Sequence, residues 1–181
     1  MDFLELCEKR YSCRKYLEKK VEREKIERCL EASRLAPSAV NAQPWSFIVI
    51  DDPELKDRVA RETFDKVASF NKFSLSAPVL VVIVNENPFM TSLLGRLFQG
   101  RDFSLFDTGI VASHFCLKAT EEGLGTCILG WFKEKNVKRI LKIPRKKSVS
   151  LILTVGYPAD SPKKKKRKSI EKIRKYNVES I

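Results

Sequence analysis

Four short segments concentrate the side chains able to hold an anion or read a planar ring. In Arg10-Tyr11-Ser12-Cys13-Arg14, two guanidinium groups flank a hydroxyl. Alternate residues of an extended chain share a face, so Arg10, Ser12 and Arg14 point one way. Guanidinium forks match a phosphate, which accepts charge-assisted hydrogen bonds; the same spacing also describes an ordinary solvated face. In Ala36-Pro37-Ser38-Ala39-Val40-Asn41-Ala42-Gln43-Pro44-Trp45, the Asn41 and Gln43 amides both donate and accept, as the edge of a heterocycle requires. Asn bonding within a tight loop accounts for that segment equally well. Gly123 to Trp131 sets glycines on both sides of a short strand, where backbone can come close to a ligand or to another segment. It is neither a dinucleotide fingerprint nor a P-loop. Finally, Gly156-Tyr157-Pro158 precedes the run Lys163 to Lys168 (KKKKRK). That run admits three readings: a nucleic-acid or nuclear-localisation patch, a solvated charge run, or a fold-back of Arg167 and Lys168 onto an anion bound elsewhere.

Other chemistries are disfavoured by composition. The five cysteines are scattered without a CxxC pair, and His114 is the only histidine. This argues against a zinc site, a disulfide framework and most histidine-based catalysis, so no metal is expected. Reduced cysteines and an acidic start (Met1-Asp2-Phe3-Leu4-Glu5) predict a cytoplasmic protein without a secretory signal. No apolar run approaches the roughly 20 residues of a membrane span. The net charge of +12 is unevenly distributed. Residues 1–132 hold 18 Lys+Arg against 19 Asp+Glu, whereas residues 133–181 hold 17 against 4. Basic character therefore belongs to the C-terminal quarter and does not make the body a nucleic-acid binder.

The elements that must position these segments follow from periodicity. Helices are expected over 2–9, 22–35, 54–71, 106–122 and 134–141. Strands are expected over 46–50, 78–84, 125–131 and 149–156, with 46–50 buried and the PVLVVIV run at 78–84 covered on both faces. Residues 10–16 should be extended and 38–44 a loop. Asn87 to Phe103 is apolar and irregular, a candidate lid whose Phe89, Met90, Phe98 and Phe103 suit a flat acceptor, a core or a dimer contact equally. Strands separated by helices over 181 residues give one α+β or α/β domain, 1–181, with a basic C-terminal segment 163–181.

Taken together the motifs resemble the nitroreductase family of flavin enzymes over nearly the whole chain. The resemblance rests on the Arg10–Arg14 opening, the Pro37-Ser38-x-x-Asn41-x-Gln43-Pro44-Trp45 loop, Asp107-x-Gly109, Gly123-Leu124-Gly125-Thr126, and Val155-Gly156-Tyr157-Pro158 before a basic pair. It implies an α+β fold, a mostly antiparallel sheet flanked by helices, in an intertwined homodimer with FMN at two interface sites. Matched residue by residue, Arg10, Ser12 and Arg14 would meet the flavin phosphate and ribityl chain, with Arg167 or Lys168 adding charge. Pro37, Ser38 and Asn41 would come from the partner subunit, Asn71 would bond the flavin ring, and the backbone of Leu129 and Gly130 would face its N5 and O4 side. Many family members carry an acid where this chain has Leu129.

The resemblance implies an NAD(P)H-dependent FMN oxidoreductase reducing nitroaromatics, quinones or other flat acceptors by a ping-pong mechanism, with no side-chain acid or base. His114 is expected to hydrogen-bond structurally. The alternatives are a family member with another reaction, such as reductive dehalogenation or flavin destruction, and a polyanion binder using the C-terminal quarter. The last lacks aromatics interleaved with base, since from residue 131 onward there are only Trp131, Phe132, Tyr157 and Tyr176. Within the basic run, Lys163 to Lys166 are expected in solvent.

Overall fold

The structure, a computed structural model, describes residues 1–86, 100–162 and 164–177. Its centre is a four-stranded sheet of order β1-β2-β4-β3, antiparallel throughout, formed by β1 (Trp45–Ile50), β2 (Val79–Asn85), β3 (Gly125–Leu129) and β4 (Ser148–Gly156). Among the described residues the helices are α1 (Phe3–Lys9), α2 (Arg23–Arg34), α3 (Pro53–Ala60), α4 (Phe103–Glu121), α5 (Glu134–Ile140) and α6 (Ile170–Ile173).

All seven residues of β2 are buried, as a strand with both faces covered requires. Its alternation divides the core. Leu80, Val82 and Val84 pack with Ile50, Val59, Val137 and Ile152 on the side of α3 and α5. Val79, Val81 and Ile83 pack with Ile26, Val111, Phe115 and Leu153 on the side of α2 and α4. β1, expected to be buried, has only Ile50 buried because it is an edge strand. The helix expected over 54–71 stops at Ala60. Beyond it, a 3-10 turn (Arg61–Thr63) leads into a loop, where Asp65 accepts from the N–H groups of Val67 (2.9 Å) and Ala68 (2.8 Å). α4 begins three residues earlier than expected because Asp102 caps it, accepting from Ser104 N–H.

Two glycines seat the N-terminal segment on the sheet. Residues 10–16 run beside β3, with Cys13 N–H donating to Thr126 O (2.9 Å) and a parallel bridge between Ser12 and Thr126. A Cβ on Gly125 would lie 2.7 Å from Cys13 Cβ. One on Gly156 would lie 2.5 Å from Pro78 Cδ and 2.8 Å from Tyr16 Cδ1. Only glycine permits these approaches. Tyr16 locks the segment through its hydroxyl, which donates to Cys13 O (2.8 Å) and bonds Thr154 Oγ1 (2.6 Å). Among the described residues, no helix is long and apolar enough to cross a membrane, and no His/Cys/Asp/Glu cluster is arranged to hold a metal.

Candidate functional site

The capped first helix delivers the arginines. Asp2 and Glu5 form a capping box on α1, which ends at Arg10, and the extended segment follows. The expected alternation holds over residues 12–14, with Ser12 and Arg14 exposed and Cys13 buried, and then breaks, since Lys15 is exposed and Tyr16, which shares the parity of Ser12 and Arg14, is buried. Burial pushes the Cys127 thiol of β3 up, while the nearby Arg14, Ser12 and Arg10 act in the opposite direction. Arg14 Nη1 donates to Ser12 O at 3.3 Å, and its guanidinium lies 5.8 Å from the centre of the Phe73 ring.

The basic run returns to this place. Tyr11 Oη donates to Asp160 O (2.8 Å) and Oδ1 (3.1 Å), and Ala159 N–H donates to Lys15 O (2.9 Å). Burial first, then the Cys13 and Asp160 neighbours, push the Tyr11 phenol above its usual range, so it remains a donor. This pins the chain leaving β4 against residues 11–15. Lys165, expected in solvent, is instead half-buried and donates to Cys7 O in the last turn of α1, where helix carbonyls favour a cation. Its pKa is lowered by burial first and then by the charges of Arg10 and Arg167. Lys164, Lys166, Arg167 and Lys168 are exposed. Within a run of six consecutive basic residues nothing local singles out Lys165, whose partner Cys7 lies 158 positions away. Lys163 lies outside the described residues, as do residues 87–99 of the expected lid.

Asn71 is buried and its Nδ2 donates to Trp131 O (3.1 Å), which places it against the turn that follows β3. In that turn Leu129 is buried and Gly130 exposed. A Cβ on Gly130 would meet nothing nearer than Leu151 at 4.0 Å, so the backbone there is open. Beside it the exposed rings of Trp131 and Phe70 pair with centroids 6.2 Å apart. Ser12 and Cys13 thus lie against Thr126 of β3, Asn71 and Gly130 lie at the turn that follows the strand, and Lys165 sits at the end of α1. Among the described residues no carboxylate forms an ion pair with Arg10, Arg14, Lys165 or Arg167. Cations that no carboxylate ion-pairs are available to a phosphate.

Pro37, Ser38 and Asn41 stand apart. No hydrogen bond, ion pair or ring contact joins residues 37–44 to Arg10–Arg14, all of which are described. The loop packs on α4, where Ala39 N–H donates to Asp107 Oδ1 (3.1 Å). Ser38 Oγ accepts from Gln43 N–H (3.0 Å), and Gln43 Nε2 donates to Asn41 O (3.2 Å) and Oδ1 (3.1 Å). Gln43 therefore engages both oxygens of Asn41 within the loop. His114 Nδ1 sits 2.9 Å from Ile110 O, a local helix contact.

Residues 7–157 match the family model described as "Nitroreductase family". A protein of Methanothermobacter thermautotrophicus with the provisional name NADH dehydrogenase/NAD(P)H nitroreductase is 28% identical, across 90% of this chain and 80% of its own. The iodotyrosine deiodinase of Thermotoga neapolitana is 27% identical, across 96% and 97%. An FMN-dependent nitroreductase from Clostridium difficile R20291 superposes with a TM-score of 0.81 at 28% identity, across 97% of this chain and 99% of that one.

Proposed function

Since the chain belongs to the nitroreductase family, we propose that it is an FMN-dependent oxidoreductase that takes reducing equivalents from NAD(P)H and passes them to a small planar acceptor. The observation that carries this reading is the segment Arg10–Arg14 seated beside β3, with Lys165 tied to the end of α1 at Cys7 O and, among the described residues, no carboxylate ion-paired to Arg10, Arg14, Lys165 or Arg167. Bound FMN would supply the hydride acceptance and release. The protein's part is placement. Arg10, Arg14 and Arg167, with Lys165, hold the phosphate, and Ser12 adds a hydroxyl; exposed Lys168 is free to add charge from the rim. Asn71, fixed by Trp131 O, presents its remaining amide face to the ring edge. The open backbone of Gly130, next to Leu129 at the end of β3, offers an N–H without a side chain in the way. Trp131 and Phe70 form an apolar platform beside that turn for a flat molecule.

Ser38 and Asn41 reach the same ligand from a second copy, with Pro37 stiffening the loop entry. The support is the apolar surface on α4, against which this loop packs, and on neighbouring α1. α1 buries none of its residues, and Phe3, Leu4, Leu105, Phe106 and Ile110 stay exposed along α1 and α4. A lone domain rarely leaves so many large side chains in water on adjoining elements. A homodimer that covers them brings each loop to the partner's cations.

The test is direct. Purified protein, stripped and titrated with FMN, should bind one flavin per chain and oxidise NADH or NADPH with parallel double-reciprocal lines for donor and acceptor. A dimeric protein that takes up no FMN at micromolar concentration overturns the proposal. The deiodinase relative puts halogenated phenols beside nitroaromatics and quinones in the acceptor screen.

A further inference from the structure

Loop 38–43 is held in a conformation that its sequence does not favour. Val40 (φ 48°), Asn41 (φ 56°) and Gln43 (φ 46°) all occupy the left-handed region, and none is glycine. Asparagine tolerates this region, but a β-branched valine is disfavoured there by roughly fivefold to thirtyfold in population. Val40 is also 84% exposed, so no packing of its own side chain offsets that cost. The bonds among Ser38, Asn41 and Gln43 are internal to the loop and do not attach it to the fold. The side chain that does is Asp107. It is 5% exposed, one turn into α4, and its Oδ1 accepts from Ala39 N–H across 68 positions of sequence. No cation pairs with it among the described residues.

We propose that Asp107 is a positioning residue: its carboxyl oxygen, bonded to the Ala39 N–H, holds a backbone-strained loop in the shape that presents Ser38 and Asn41 to the flavin. The part about flavin rests on the function proposed above; the hold on the loop does not. Asp107 touches no ligand, and its effect is exerted through the conformation of residues 39–43.

Two measurements separate these parts. The first is hydrogen exchange of the ligand-free protein over residues 39–43. Asp107→Ala should speed exchange there at least tenfold while amides of β2 stay slow. Asp107→Asn, which keeps an acceptor oxygen at the same place, should remain within about threefold of the parent. The second is FMN affinity. Asp107→Ala should weaken it about tenfold and Asp107→Asn much less. Val40→Gly, which removes the strain, should recover at least threefold in the Asp107→Ala background while changing the parent little. Unchanged exchange in a folded Asp107→Ala protein overturns the proposal whatever happens to FMN. So does an equal loss in Asp107→Asn, or a double variant no better than Asp107→Ala. Faster exchange in a protein whose parent binds no FMN upholds the hold on the loop and sinks the proposed function instead.

Discussion

Arg14→Ala separates ligand binding from folding more cleanly than any other change at the site. The side chain is exposed, its one hydrogen bond is a long 3.3 Å contact to Ser12 O, and its ring neighbour Phe73 is 5.8 Å away. An exposed cation over a ring contributes about 0.5–1 kcal/mol. In a chain of this size that corresponds to a melting shift of only about 1–4 °C. A charge-assisted bond to phosphate is worth about 1.5–3 kcal/mol, so FMN affinity should fall about tenfold to a hundredfold. Titrating the ligand-free protein and following flavin fluorescence gives both constants. Riboflavin, which has the ring and ribityl chain but no phosphate, is the control. Its affinity should be the same in the parent and the variant. Raising salt should narrow the gap between parent and variant for FMN, because a partly exposed charge pair is screened. Equal losses for FMN and riboflavin would move Arg14 from the phosphate to the ring. Undiminished FMN affinity would remove it from the site.

Three other outcomes follow from the same geometry. Lys165 has a pKa below the usual lysine value in the free protein, and a bound phosphate raises it, so FMN binding takes up a proton between the two values; affinity measured against pH should fall on the alkaline side, and Lys165→Gln should flatten that limb while Lys164→Gln and Lys166→Gln leave it intact. Gly125→Ala forces a methyl to 2.7 Å from Cys13 Cβ between buried elements, which should lower stability by about 1–3 kcal/mol in urea melts and weaken FMN binding by shifting Ser12 and Arg14. Arg10→Ala and Asn41→Ala proteins, each defective alone, should regain about one intact site per heterodimer when co-expressed with different affinity tags; verified heterodimers without regained FMN binding would rule out a site shared between chains.

How much of this was legible in the sequence depended on how local each cause is. β2 was plain because the six consecutive apolar residues Val79–Val84, mostly β-branched, suit a strand covered on both faces. Arg10, Ser12 and Arg14 were legible because two-residue alternation is a property of the extended chain itself. The burial of β1 was misjudged because its apolar run does not announce an edge position, which is set by pairing with residues 80–85. The end of α3 was missed because the Asp65 loop competes through side-chain bonds that helical periodicity does not register. Lys165 and Asp107 depend on contacts 158 and 68 positions away, and no window along the chain contains both partners.

The two halves of the candidate site are built on opposite physical terms, which is why one chain leaves them apart. The sheet half is a set of like charges that repel until an anion arrives. The fold confines Arg10 by helix α1, carries the returning chain to it through the Tyr11–Asp160 bonds, and ties Lys165 to a helix carbonyl. Each of these anchors uses backbone or neutral donors and acceptors, or a carboxylate spent on a phenol, and none neutralises a cation of the cluster. A carboxylate beside Arg10 would stabilise the free protein and compete with phosphate for the same guanidinium. The loop half carries no net charge and depends on backbone shape, held from α4 by one hydrogen bond. A charged ligand therefore stabilises the first half by neutralisation, while the second contributes contacts only when its conformation is already set. Covering the apolar faces of α1 and α4 with a second chain would unite a charge-driven half with a shape-driven one, so flavin affinity would depend on dimerisation as well as on the arginines.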